Sequence, residues 1–216
     1  MPRAPTEPSP LLPFDVILFD IGGVLLTNGL DHNDRTHLFE RFAIDPEEYN
    51  RRQQDWYDRW DTGQITADQF LSHTIFHRER PFSRAEYWAA VLERSQLLDD
   101  GALGILQQIS ASNRYRVGAL NNEPRETNEY RFARFGLGQW LRLRFSSCYM
   151  GLHKPDLAFY RRAVDILGVT PDRILFIDDR PVNVEAAAQV GIHALCFEGR
   201  QQLSRQLESL GVLVER

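Results

Sequence analysis

Two apolar runs in this chain end in carboxylates, and they constrain its fold more than any other feature. Val16-Ile17-Leu18-Phe19 leads into Asp20-Ile21-Gly22-Gly23, and Ile174-Leu175-Phe176-Ile177 leads into Asp178-Asp179. Each run is short, lacks polar alternation and is closed by turn formers, the pattern of a strand buried on both faces of a parallel sheet. Ligands of such sheets bind just outside the carboxyl ends of the strands, so these Asp residues are expected in one crevice. Clustered carboxylates repel one another unless a cation joins them, and a hard divalent ion that takes oxygen ligands, Mg²⁺, is the economical choice. For either segment alone, an Asp capping the following turn or helix explains the pattern as well.

Between Thr27 and Asp99 the strand signal gives way to helix starts. Asp45-Pro46-Glu47-Glu48 places an N-cap residue before Pro and Glu, and Thr66-Ala67-Asp68-Gln69 and Ser83-Arg84-Ala85-Glu86 are capping boxes. With the amphipathic stretch around Leu38, Phe39 and Phe42, these predict about four helices in one insert. Beyond Asp100 helix and strand alternate. Helices are expected over 101–110, 124–135, 155–167, 181–190 and 201–210, and strands over 115–120, 142–148, 173–177 and 192–197. Such alternation builds a doubly wound parallel sheet, an α/β fold. Val212-Leu213-Val214 could add an edge strand.

Two more segments complete a motif series. Arg116-Val117-Gly118-Ala119-Leu120 ends in Asn121-Asn122, and Gly151-Leu152-His153-Lys154-Pro155 places a Lys just before a helix. An Asp after a first strand, hydrogen-bond donors after a second, a Lys and a double Asp occur in this order. From Phe14 to Phe197 the chain thereby resembles the haloacid dehalogenase superfamily of phosphohydrolases. It is closest to the branch that includes sugar-phosphate phosphatases and the phosphatase domain of soluble epoxide hydrolase. The resemblance implies a Rossmann-like core over residues 14–28 and 99–216, with a small four-helix cap over 29–98 inserted after the first strand. Residues 1–13, rich in Pro and without a long apolar segment, read as a disordered extension rather than a signal peptide.

In the chemistry that the resemblance implies, Asp20 attacks phosphorus to give an aspartyl-phosphate, which water then hydrolyses. Asp20, the Gly22 carbonyl and Asp179 would be the direct Mg²⁺ ligands. Asp178 would lie in the outer shell, with Asn183 holding a further water. Lys154 would neutralise nucleophile and phosphate as charge moves between them. Asn121 stands where the family usually has Ser or Thr; it and Asn122 would donate to phosphate oxygens, or close the turn after their strand. Arg35 is the candidate for a substrate contact from the cap, while Trp56, Tyr57 and Trp60 line a pocket or form the cap's core. The departure that matters most is Gly22, because family phosphatases generally carry a second Asp there to protonate the leaving alcohol. General acid–base catalysis is typically worth about 10² to 10⁴ in rate. His32, His153 or a cap residue would have to replace it.

Composition limits the remaining classes. The net charge of −5 offers no broad basic field for nucleic acid or an anionic membrane, and no run suits a transmembrane helix. Arg51-Arg52 and Arg161-Arg162 read as solvated helix faces. Two cysteines, Cys148 and Cys196, make neither a disulfide framework nor a zinc site, so a reducing cytoplasm is expected. The leading expectation is a Mg²⁺-dependent phosphatase of a small phosphorylated metabolite, such as a sugar phosphate, acting as monomer or homodimer. Alternatives are a catalytically weak or inactive member that binds a phospho-ligand or protein partner, and a haloacid dehalogenase, whose Asp-ester chemistry needs no metal. Epoxide opening is not expected, since the sequence contains no α/β-hydrolase region.

Overall fold

Strand β1 (Val16–Phe19) is fully buried and lies in the middle of a five-stranded parallel sheet in a computed structural model that describes residues 13–29 and 32–213. The other strands are β2 (Arg116–Asn121), β3 (Leu143–Ser146), β4 (Ile174–Asp178) and β5 (His193–Cys196), in the order β3-β2-β1-β4-β5. The expected doubly wound α/β core is therefore present. The period of two sends alternate residues to opposite faces. Ile17, Phe19, Val117, Ala119, Leu175 and Ile177 pack with helices α6 (Leu103–Ala111), α7 (Arg125–Arg134) and α11 (Arg200–Ser209). Val16, Leu18, Leu120, Phe145, Ile174 and Phe176 pack with α9 (Leu157–Leu167) and α10 (Pro181–Gln189) on the other face. A strand covered on both sides has no use for polar residues, which explains the uninterrupted apolar runs.

Helices α1 (His32–Arg41), α2 (Pro46–Gln53), α3 (Trp56–Asp61), α4 (Ala67–Thr74) and α5 (Arg84–Glu93) lie between β1 and α6 and share their own apolar cluster. Asp45 caps α2 through Glu47 N and Glu48 N, and both capping boxes form. Four helices were expected here and five are found. The stretch after Asp45 breaks at Asp55, which adopts φ 61°, a left-handed conformation that ends one helix and starts the next.

Two further differences concern ends of elements. The strand expected over 142–148 stops at Ser146, and Ser147–Met150 forms a short helix, α8, so Cys148 is helical. Val212 and Leu213 form no strand; they are buried against the core beside Leu207, where hydrophobic burial needs no sheet pairing. Val214, like most of the expected extension at 1–13, lies outside the described residues.

Two linkers join the insert to the sheet, and they pair with each other. Thr27 N donates to Gln96 O (2.9 Å), Gln96 N to Thr27 Oγ1 (3.1 Å), and Leu26 bridges Leu97. The buried Arg131 of α7 grips both linkers, donating to Thr27 O (3.0 Å) and Ser95 Oγ (3.0 Å) while pairing with Glu123 Oε2 (2.9 Å).

Candidate active site

Parallel register brings the motifs together. Phe19 pairs with Ala119 on one side and Ile177 on the other, so Asp20, Asn121-Asn122 and Asp178-Asp179 emerge side by side at the carboxyl edge. Carboxylate oxygens of Asp20, Asp178 and Asp179 come within 4.8 Å of one another. Lys154 is buried between them, with Nζ 3.0 Å from Asp20 Oδ1 and 2.6 Å from Asp178 Oδ2. It is the sole lysine of the chain, against 24 arginines. A compact ammonium can lie between two carboxylates where a planar guanidinium would need more room.

The two C-terminal acids of β4 differ in their partners. Asp178 is saturated: Oδ1 accepts from Arg180 N and Asn183 Nδ2 (both 2.9 Å), and Oδ2 from Asn183 Nδ2 (3.1 Å) and Lys154. Among the described residues the Asp179 carboxylate has a single hydrogen-bond contact, 3.5 Å from Asn28 Nδ2 to Oδ2, and its buried Oδ1 has no partner. Burial raises the Asp179 carboxyl above its ordinary range, and the charge of Asp178 adds to this. Burial likewise pushes the Asp20 carboxyl well up; Lys154 opposes the shift, and Asp178 and Asp179 reinforce it. An orphaned buried oxygen among carboxylates that resist ionising together fits a divalent cation, with Asp179 rather than Asp178 free to ligate it.

The amides after β2 have other duties. Asn121 is 1% exposed, donating from Nδ2 to Asn128 Oδ1 (3.2 Å) and accepting from Ser146 Oγ (2.8 Å). Asn121, expected as a phosphate donor, is not among the residues that line the cleft; its amide closes the strand end in that network. The Asn122 side chain pairs with the backbone of Lys154 in both directions, Nδ2 to O and N to Oδ1, each at 2.8 Å. Its amide positions the lysine, so it too is engaged within the fold.

Above these groups lies a cleft of about 700 Å³ lined by Asp20, Gly22, Lys154, Asn122 and His153 from the sheet edge and by Arg35, Tyr57 and Asp61 from the insert. Arg35 lines the cleft, bonded to Gln53 Oε1 (2.6 Å) and stacked over Tyr57 (4.7 Å to the ring centre). Of the insert aromatics only Tyr57 lines the cleft. Trp60 is 2% exposed in the insert core, and Trp56 stacks on His73. The His32 side chain lies outside the described residues. Sequence reasoning missed Asn28, Asp61, Glu123 and Arg131; an acid directly after the buried Trp60 was the available signal for Asp61.

Gly22 is not glycine for its backbone, whose φ lies outside the left-handed region, but for its neighbour. A Cβ there would stand 2.6 Å from Asn28 Oδ1. Gly22→Asp should therefore push the Asn28 amide aside, at a cost of about 1 kcal/mol or less because only the end of a side chain stands in the way. Adding Asn28→Gly should recover most of that loss. A double-mutant cycle from urea unfolding checks it, and additive effects would show that Asn28 is not the obstacle.

The fold and site define an α/β protein with a carboxylate–lysine centre at its sheet edge, facing a helical insert. The chain belongs to the haloacid dehalogenase-like hydrolase family, whose model matches residues 14–191. It is 38% identical over 115 residues to flavin mononucleotide hydrolase 1 of Arabidopsis thaliana, across 53% of this chain and 46% of that protein. It is 29% identical over 96 residues to the GMP/IMP nucleotidase YrfG of Escherichia coli, across 44% of this chain and 43% of the nucleotidase. The chain thus matches less than half the length of these relatives. A solved haloacid dehalogenase family enzyme of Bacteroides thetaiotaomicron shares the fold, with TM-score 0.74 and 20% identity over 90% of this chain and 98% of the other. That enzyme is also known in complex with magnesium and inorganic phosphate, a structure with TM-score 0.67 and 18% identity over 86% and 95% of the two chains.

Proposed function

We propose that the protein is a Mg²⁺-dependent phosphatase of a small phosphorylated metabolite that works by phosphoryl transfer to Asp20. The observation that carries this reading is Lys154 Nζ held between Asp20 and Asp178 in the cleft, with Asp179 Oδ1 nearby and without a hydrogen-bond partner among the described residues. Asp20, the Gly22 carbonyl and Asp179 would hold the ion, which when bound supplies positive charge against the phosphate oxygens. Asp20 is the nucleophile, kept in place by Ile21 N, which donates to its Oδ1 (2.8 Å). Lys154 stays charged, its pKa raised because Asp178 and Asp20 more than offset the burial that would lower it. It neutralises Asp20 before transfer and the phosphoryl group after it. Asp178, fixed by Asn183 and Arg180 N, positions Lys154.

The named activities of the Arabidopsis and Escherichia coli relatives, and the magnesium and phosphate of the Bacteroides neighbour, favour phosphate monoesters over haloacids. The substrates to screen are FMN, GMP, IMP, sugar phosphates and p-nitrophenyl phosphate. We expect phosphate release with Mg²⁺, its loss on chelation and its return on adding Mg²⁺ back. No release from any of them would favour a protein that binds a phospho-ligand or protein partner without turnover, the second reading that Gly22 supports. A cytoplasmic setting belongs to the leading reading. Cys148 and Cys196 are both free thiols, and no helix of the described residues is long and apolar enough to cross a membrane.

A further inference from the structure

Phosphoryl transfer to Asp20 needs a proton for the departing alcohol, and position 22 has none to give. Among the residues that line the cleft from the insert, the last of α3, Asp61, carries a carboxyl. Asp61 is 3% exposed, lines the same cleft as Asp20 and Lys154, and its buried Oδ1 has no hydrogen-bond partner among the described residues. A protonated carboxyl whose Oδ1 is not engaged can donate from that oxygen to an acceptor.

Its position is set by the core although it belongs to the insert. Ser147 Oγ donates to the Asp61 backbone carbonyl (2.9 Å) and accepts from Glu123 N (2.8 Å), tying α3 to α8 and to the loop after β2. Just beyond, Gly63 at φ +73° lets the insert approach α8 so closely that a Cβ would meet Cys148 O at 2.3 Å. The backbone of Asp61 is thus held at the cleft wall, which limits its carboxyl to the few positions its own side-chain torsions allow.

Burial lifts the Asp61 carboxyl to about 6. Ser147 and His153 oppose the shift, while Glu123 and its own helix neighbour Asp58 reinforce it; Tyr57 and Cys148 are the other titratable groups in its field. A general acid works best with a pKa near the operating pH, and an ordinary exposed Asp is ionised far too early.

We propose that Asp61, delivered by the insert, is the general acid that protonates the leaving oxygen in place of the acid absent at position 22; this rests on the phosphatase reading above. In the first half, an Asp20 carboxylate oxygen bonds to phosphorus, the bond from phosphorus to the substrate oxygen breaks, and the Asp61 proton passes to that oxygen to give the alcohol. In the second half, the Asp61 carboxylate takes a proton from the water that attacks phosphorus. The bond from phosphorus to Asp20 breaks, and phosphate leaves with Asp20 and the Asp61 carboxyl restored.

The test compares leaving groups. The parent, Asp61→Asn and His153→Gln are assayed with Mg²⁺ on p-nitrophenyl phosphate, whose phenolate leaves unaided, and on the alkyl phosphates FMN, GMP and ribose 5-phosphate. For Asp61→Asn we expect kcat on the alkyl substrate to fall about 10²- to 10⁴-fold, while kcat on the aryl substrate changes by less than about tenfold. The retained aryl rate also reports an intact fold. Equal losses on both would make Asp61 structural and overturn the proposal. So would that signature in His153→Gln alone, or a parent that cleaves only the aryl ester. A parent inactive on every substrate would instead overturn the phosphatase reading itself, an outcome distinct from these.

Discussion

Asp20→Asn should abolish Mg²⁺-dependent phosphate release, lowering it by roughly 10⁴-fold or more, as removal of a nucleophile that acts with its partners does elsewhere. The amide is nearly isosteric, and its oxygen can still accept from Ile21 N, which now donates to Asp20 Oδ1 at 2.8 Å. Lys154 keeps Asp178 as its partner at 2.6 Å. The substitution also removes one of three carboxylates that come within 4.8 Å of one another, so thermal stability in EDTA should hold or rise. Phosphate release and thermal unfolding of the same preparation check both halves. Unchanged release would point to a contaminating phosphatase, and a large drop in Tm would mean that Asp20 is held there for the fold rather than for chemistry.

Arg131→Met should have the largest effect on stability. The guanidinium is 2% exposed, and besides Glu123 it serves Thr27 O and Ser95 Oγ, the two linkers of the insert. Removing one partner of a buried ion pair leaves the other charge uncompensated and typically costs about 3–5 kcal/mol. For a chain of this size that is a Tm lower by roughly 10 °C. The deficit should depend on pH. Burial holds the Glu123 carboxyl above its ordinary value, and Arg131 opposes that shift. Without Arg131 the folded-state value rises further, so the native state binds the proton more tightly than the unfolded chain. Stability is then lost as pH rises from the unfolded pKa of about 4.3 through the folded one. Arg131→Met should accordingly be closer to the parent at pH 5 than at pH 8, and adding Glu123→Gln should recover part of the loss at pH 8. A deficit below about 1 kcal/mol and equal at both pH values would show that the pair does not clamp the linkers.

The insert shows how far local signals reach. Capping boxes at Thr66 and Ser83 form as the sequence spells them, because a capping box is settled within four residues. The break at Asp55 is not visible in the same way, since the apolar pattern continues through Tyr57 and Trp60 while the backbone turns left-handed between them and α2. Asn121 and Asn122 have the composition of anion donors, yet Asn128, Ser146 and the Lys154 backbone claim their amides. The sole lysine of the chain was a stronger sequence signal than its place before Pro155, because a chain that otherwise uses arginine for positive charge keeps one ammonium.

By itself the sequence determines the parallel α/β core and the meeting of Asp20, Asp178 and Asp179, since uninterrupted apolar runs make buried strands and parallel strands put their following residues on one edge; Lys154, which directly follows no strand, is placed with them only by the family resemblance. Only the tertiary structure decided which of those acids is saturated and which has an empty oxygen, and that Asp61, 86 residues from the serine that holds it, belongs to the same cleft. The role of a polar side chain is set by the groups that face it, and those groups come from segments whose distance along the chain gives no sign of their meeting.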